Sequence, residues 1–164
     1  MSQSEVEKTE QSYPAVGLAY EVALASYEVA QKRYDAIDAR IQTLLAFATT
    51  LTLAVPAAAS SIRGADLRSR WLISALIAFA GTVAVGTYAR WKGDIILLNP
   101  KHLYDGWLRY SEWEFKTNMV YWAGEHFEAN RRLINSKGRL AVAASIMFAL
   151  EALMLVVWVL LARV

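Results

Sequence analysis

Apolar residues fall along this chain in two patterns, one periodic and one continuous. From Tyr13 a stripe recurs every seven residues, through Tyr20, Tyr27 and Tyr34 to Ile41, and Val16, Ala23, Ala30, Ile37 and Leu44 each follow three positions later. Spacings of three and four put both sets on one face of a helix, as the a and d positions of about four heptads. Glu21, Glu28 and Asp35 follow the tyrosines on a flank that can stay in water. The stripe then runs without a breaker into the first of three windows nearly free of charge, about 43–62, 71–89 and 140–162. Each is close to the roughly 20 residues that a helix needs to cross a bilayer, so each is predicted as a span.

Between the second and third windows the pattern turns helical again. DIILLNP ends in the turn signal Asn99-Pro100. Leu103, Trp107, Tyr110 and Trp113 recur at helical spacings, and Met119, Trp122, Phe127 and Ile134 follow with only Gly124 and Gly138 as weak points. A helical hairpin over about 92–138 is predicted, with a second arm able to continue into the third span. The expected fold is all-α: an integral membrane protein of three transmembrane helices, with a long N-terminal helix continuous with the first span. Residues 1–12, MSQSEVEKTEQS, are polar and read as disordered, and 13–164 as a single helical membrane domain. A helix from about Ala15 to Ile62 would extend on the order of 70 Å and act as a rigid lever. Pro56 should kink it, and Gly81, Gly86 and the small residues around them should let the second span pack closely.

The stripe has two readings. Tyr20, Tyr27, Tyr34 and Ile37 pack on Trp107, Trp113 and Trp122 of the hairpin, or they form a coiled coil between protomers of a homo-oligomer. Tyrosine at a is bulky for a tight two-stranded seam, so shape favours the hairpin.

Composition changes this picture little. The 164 residues are 56% apolar and lack cysteine, which removes disulfides, thiolate metal sites and thiol nucleophiles. A formal net charge of +2 gives no reason to expect nucleic acid. The N-terminus lacks the basic region and short apolar core of a cleaved signal, so the first span is expected to anchor itself. Placement of charge says more. Nine Lys or Arg lie between Arg90 and Arg139 and four precede the first span, against three in RGADLRSR. The positive-inside rule then puts the N-terminal arm and the hairpin in the cytoplasm, and the short turn and C-terminus outside.

Glu151 stands near the middle of the third window, where a charge costs about 3 kcal/mol even on lenient scales. Either it is a protonated acid that hydrogen-bonds Thr49, Thr52, Ser74 or Thr82 and holds helices together, or it lines a wet seam or pore where carboxylates would favour cations. Other chemistry is missing. His102 and His126 lie among Asp105, Glu112, Glu114, Glu125 and Glu128, but Glu125-His126 lacks the second histidine of a zinc helix and no spacing fits a metal site. No phosphate-cradling loop or nucleophile elbow occurs, so neither an enzyme nor a cofactor is expected.

YDAIDARIQTLLAFATTLTLAV, the second span with its NP turn and LYDGWLRYSEWEF, and HFEANRRLINSKGRLAVAASIMFALEALM together resemble the transmembrane domain of bacterial Pycsar-type anti-phage effectors. The resemblance covers about Tyr34 to Leu161 and rests on the order of elements. It implies a membrane effector that, once a cyclic nucleotide signals infection, perturbs the inner membrane and stops growth. The chain is accordingly expected to be an inner-membrane effector that oligomerises and permeabilises or depolarises the membrane when triggered through its cytoplasmic helices, by that signal or by a cytoplasmic sensor protein. The N-terminus would be cytoplasmic and the C-terminus periplasmic. The family carries a cyclic-nucleotide-binding domain, and no such separate domain is read in these residues. The SLATT group of two-span effectors is similar but has one span fewer. A different class also fits: a non-conducting membrane anchor that recruits a cytoplasmic partner.

Overall fold

In a computed structural model of the chain, the described residues are 13–61, 68–99, 101 and 103–161, except the side chain of Asp105. The expected disordered stretch 1–12, the ends Ile62 and Ala162 of two expected spans, and His102 lie outside them. All regular structure among the described residues is helical. Helix α1 covers Val16–Leu53, α2 Val55–Ser61, α3 Arg70–Trp91 and α4 Glu112–Leu161. Three stretches, Val16–Ser61, Arg70–Trp91 and Glu112–Leu161, are long and apolar enough to cross a membrane.

Local chemistry sets the boundaries. The break between α1 and α2 falls at Ala54, whose N–H is shared between the carbonyls of Thr50 at 3.1 Å and Leu51 at 3.2 Å. Pro56, two residues on, has no N–H for the Thr52 carbonyl and its ring crowds that oxygen, which explains an interruption here. The α3 helix starts at Ser69, whose hydroxyl accepts the Trp71 N–H at 3.4 Å, and stops before Gly93, which at φ 107° adopts the left-handed turn that ends many helices. Helix α4 opens with a capping box: Ser111 N–H donates to Glu114 Oε2 at 2.9 Å, and Glu114 N–H donates to Ser111 Oγ at 3.3 Å. From there it runs 50 residues through both glycines to Leu161.

The hairpin expected over 92–138 takes a different form. Its second arm is the start of α4, but in the described residues of its first arm 93–99 have no regular structure, Lys101 is helical and Leu103–Trp107 make a single π-helical turn. Asn130 anchors this irregular backbone. Its Oδ1 accepts the Ile96 N–H at 2.8 Å and its Nδ2 donates to the Ile96 carbonyl at 3.1 Å. One amide side chain thus satisfies both backbone groups of that residue, as a neighbouring strand would.

By their internal contacts the residues form two compact units. Unit one comprises Tyr34 and the residues before it with Asp94–Ile134; unit two comprises Asp35–Gly93 with Asn135–Val164. Unit one is built on aromatic pairs. Tyr13 meets Trp113 at 6.4 Å between ring centroids, Tyr20 meets Phe115 at 6.4 Å, and Tyr27 meets Trp122 at 5.6 Å. Unit two has two buried clusters: Leu72, Ala75, Leu155 and Trp158 in one, and Ile41, Ala89 and Ala141 in the other. Phe47, Ile77, Ile146 and Leu153 remain exposed on its apolar helices. Large apolar side chains exposed on helices of this composition suit contact with lipid.

Candidate intramembrane carboxyl site

Helix α4 carries Glu151 into the interior of unit two, where its relative exposure is 0%. The Thr52 hydroxyl donates to Glu151 Oε1 at 2.9 Å, while Oε2 has no hydrogen-bond partner. The other hydroxyls considered from the sequence are placed differently. Thr49 bonds the carbonyl of Leu45 at 2.8 Å and buried Thr82 that of Ala78 at 3.0 Å, each within its own helix, and Ser74 is exposed. Thr43 and Thr50 also bond back along α1, to Ala39 and Ala46. Thr52 instead reaches across to α4, from the last turn before the break that Pro56 imposes. One carboxyl, one hydroxyl and an unused acceptor in a closed apolar setting can hold or release a proton or receive a cation.

Close packing also runs along α3. A Cβ on Gly81 would lie 2.7 Å from Met147 Sδ, and one on Gly86 would lie 2.9 Å from Leu45 Cδ2. Both glycines thus mark close approaches to α1 or α4, as the small residues of the second window suggest. Ile37 packs against the cluster of Ile41, Ala89 and Ala141.

Two polar features of unit two were not read from the sequence. Lys137, with 0% side-chain exposure, donates to Asp38 Oδ1 at 3.2 Å, and Asp38 keeps 26%. Arg40 donates to Ser145 Oγ at 3.1 Å.

In unit one the remaining candidates lie on α1, at the end of the π-helical turn and on the start of α4. Trp107 meets Phe115 edge-on at 5.8 Å, and Trp122 stacks edge-on against His126 at 4.6 Å. Tyr34 is buried and its hydroxyl donates to Asp94 Oδ1 at 2.7 Å. The Tyr27 hydroxyl donates to the Ile96 carbonyl and accepts from Asn130 Nδ2 at 3.1 Å. Burial pushes the Tyr27 phenol above its ordinary range, against the Asn130 bond that lowers it, so it stays a neutral donor at physiological pH. A cavity of about 290 Å³ lies beside these rings, lined by Tyr20, Tyr27, Met119, Trp122 and Leu97 among others. Asn130 is the residue that pattern reading missed here, since an amide inside a helical run carries no signal of what it will bond.

Comparison with protein families, with curated proteins and with solved structures finds no match to this chain.

Proposed function

We propose that the chain is an inner-membrane effector of bacterial anti-phage defence, which oligomerises and permeabilises or depolarises the membrane when triggered through its cytoplasmic helices. The supporting observation is Glu151, fully enclosed among apolar helices with one oxygen bonded to Thr52 and the other unmatched. A buried polar group left half satisfied is costly, and an ionisable residue at membrane depth is by default a functional one. Such a carboxyl gains by any rearrangement that admits water. The closed bundle is then one of two states, and a trigger that favours the wetted state opens a path for ions. Helices α1 and α4 contribute to both units, and so supply continuous elements along which a signal arriving at the aromatic unit can act. A cyclic nucleotide, the signal that the resemblance implies, and a cytoplasmic sensor protein are the candidate triggers.

The experiment is overexpression of the chain, at a density where the minor wetted population present without the trigger is enough to conduct, in bacteria loaded with a potential-sensitive dye. Loss of membrane potential before loss of viability is the expected result. Intact potential in cells whose membranes contain the protein would instead make it a non-conducting anchor for a cytoplasmic partner.

A further inference from the structure

Ile41 of α1, Ala89 of α3 and Ala141 of α4 pack in one buried cluster, so their neighbours in sequence lie near one level of unit two. Those neighbours include Arg40, Arg90, Lys92 and Arg139, and all of them are exposed. They stand where the three apolar windows, about 43–62, 71–89 and 140–162, start or stop, Arg40 and Arg139 within helices that continue past them. Some cations elsewhere are paired with a carboxylate, Lys32 with Glu28, Lys116 with Glu112, Arg132 with Glu128 and Lys137 with Asp38. At this level the partners are neutral. Arg40 donates to Ser145 Oγ at 3.1 Å and Lys92 to Ser136 Oγ at 2.6 Å, bonds that aim the charge without cancelling it. Among the described residues, no carboxylate lies within salt-bridge distance of any of the four. Asp38, the acid nearest Arg40 in sequence, is taken by Lys137, which leaves exposed Asp35 as the other acid on this stretch of α1. Tyr88 at 57% exposure and Trp91 at 83% flank the same level, and such amphipathic rings collect at the boundary between membrane and water.

We propose that this collar of Arg40, Arg90, Lys92 and Arg139 binds the phosphates of anionic phospholipid headgroups. Charge complementarity selects the ligand: uncompensated cations at the water-facing end of apolar helices meet the phosphate layer of a leaflet. Guanidinium groups, three of the four, offer phosphate a planar fork of donors. Basic pockets between membrane helices are a recurring site for such headgroups. The collar rests on the reading that the three helices cross a bilayer, and the test separates the two.

The full chain is reconstituted in phosphatidylcholine vesicles with a trace of spin-labelled phosphatidylglycerol or spin-labelled phosphatidylcholine, and the motionally restricted fraction of each is read by electron paramagnetic resonance. Restricted phosphatidylcholine reports insertion; the excess of restricted phosphatidylglycerol over it reports the collar. The expected result is a preference for phosphatidylglycerol that falls by up to about fivefold per charge removed through Arg40→Gln, Arg90→Gln, Lys92→Gln and Arg139→Gln. It should persist when the three arginines become lysine, and be indifferent to Arg68→Gln with Arg70→Gln at the other end of α3. Millimolar glycerol phosphate should not displace the lipid. Equal restriction of both labels would overturn the collar alone, and absence of restriction for either would overturn the membrane reading beneath it. An equal loss from the Arg68 and Arg70 pair would also overturn it, by reducing the effect to net charge. So would displacement by glycerol phosphate, which would make the ligand a soluble phosphate.

Discussion

Lys137 and Glu151 are both fully enclosed side chains with charges to lose, and they differ in what meets them. Lys137 faces a counter-charge in Asp38. Replacing one partner leaves the other partly buried without it, which costs about 3 kcal/mol for such pairs. Lys137→Met should therefore lower the unfolding temperature in detergent clearly, and adding Asp38→Leu should restore most of the loss; an unchanged transition in Lys137→Met would show that the pair contributes nothing. Glu151 faces only a hydroxyl. Thr52→Val should cost about 1–3 kcal/mol by stripping a buried acceptor of its bond, while Thr49→Val, which loses a bond within its own helix, should cost less; the same unfolding assay distinguishes them. Glu151 was legible in the sequence because a carboxyl stands out in an apolar run, and Thr52 was among the hydroxyls within reach. The Asp38–Lys137 pair was not, since its members lie 99 positions apart and each alone reads as a solvated charge.

Among the elements, continuous apolar windows and the tyrosine repeat were the legible ones, because each imposes a helical surface that only burial or lipid can satisfy. The first arm of the expected hairpin misled for a physical reason. Leu103, Trp107 and Tyr110 span barely two turns, too short a run to nucleate a helix by itself, and Ile95 to Leu98 are apolar without any helical period. What holds that segment is Asn130 together with the Tyr27 and Tyr34 hydroxyls, all outside the local pattern. Asn130→Leu should consequently speed hydrogen exchange at the Ile96 amide by orders of magnitude while α1 and α4 keep their protection. Retained protection at Ile96 would mean that its amide is guarded by something else. The glycines of α3 give a second contrast. An alanine at position 86 must push against the branched end of Leu45, with two further Leu45 carbons within 3.4 Å, whereas at 81 it meets the flexible end of Met147. Overpacking of the first kind costs roughly 1–3 kcal/mol, so Gly86→Ala should lower thermal stability more than Gly81→Ala; the reverse order would place the tight contact elsewhere.

At the scale of the whole molecule, the proposed orientation rests on the distribution of Lys and Arg. Reporters fused in the N-terminal arm or after Asn99 should read cytoplasmic and those after Val164 external, and the opposite pattern would remove the aromatic unit from the side on which the proposed trigger acts. The central claim is that the bundle can conduct when its enclosed carboxyl is wetted. Its most direct test is ion flux from vesicles holding a potassium diffusion potential, with purified full chain inserted at known density. The account expects the potential to decay faster than in protein-free vesicles and expects Glu151→Leu, which removes the group that gains from water, to slow that decay while inserting equally well. Vesicles that keep their potential as long as protein-free ones, with the chain inserted across the bilayer, would contradict it.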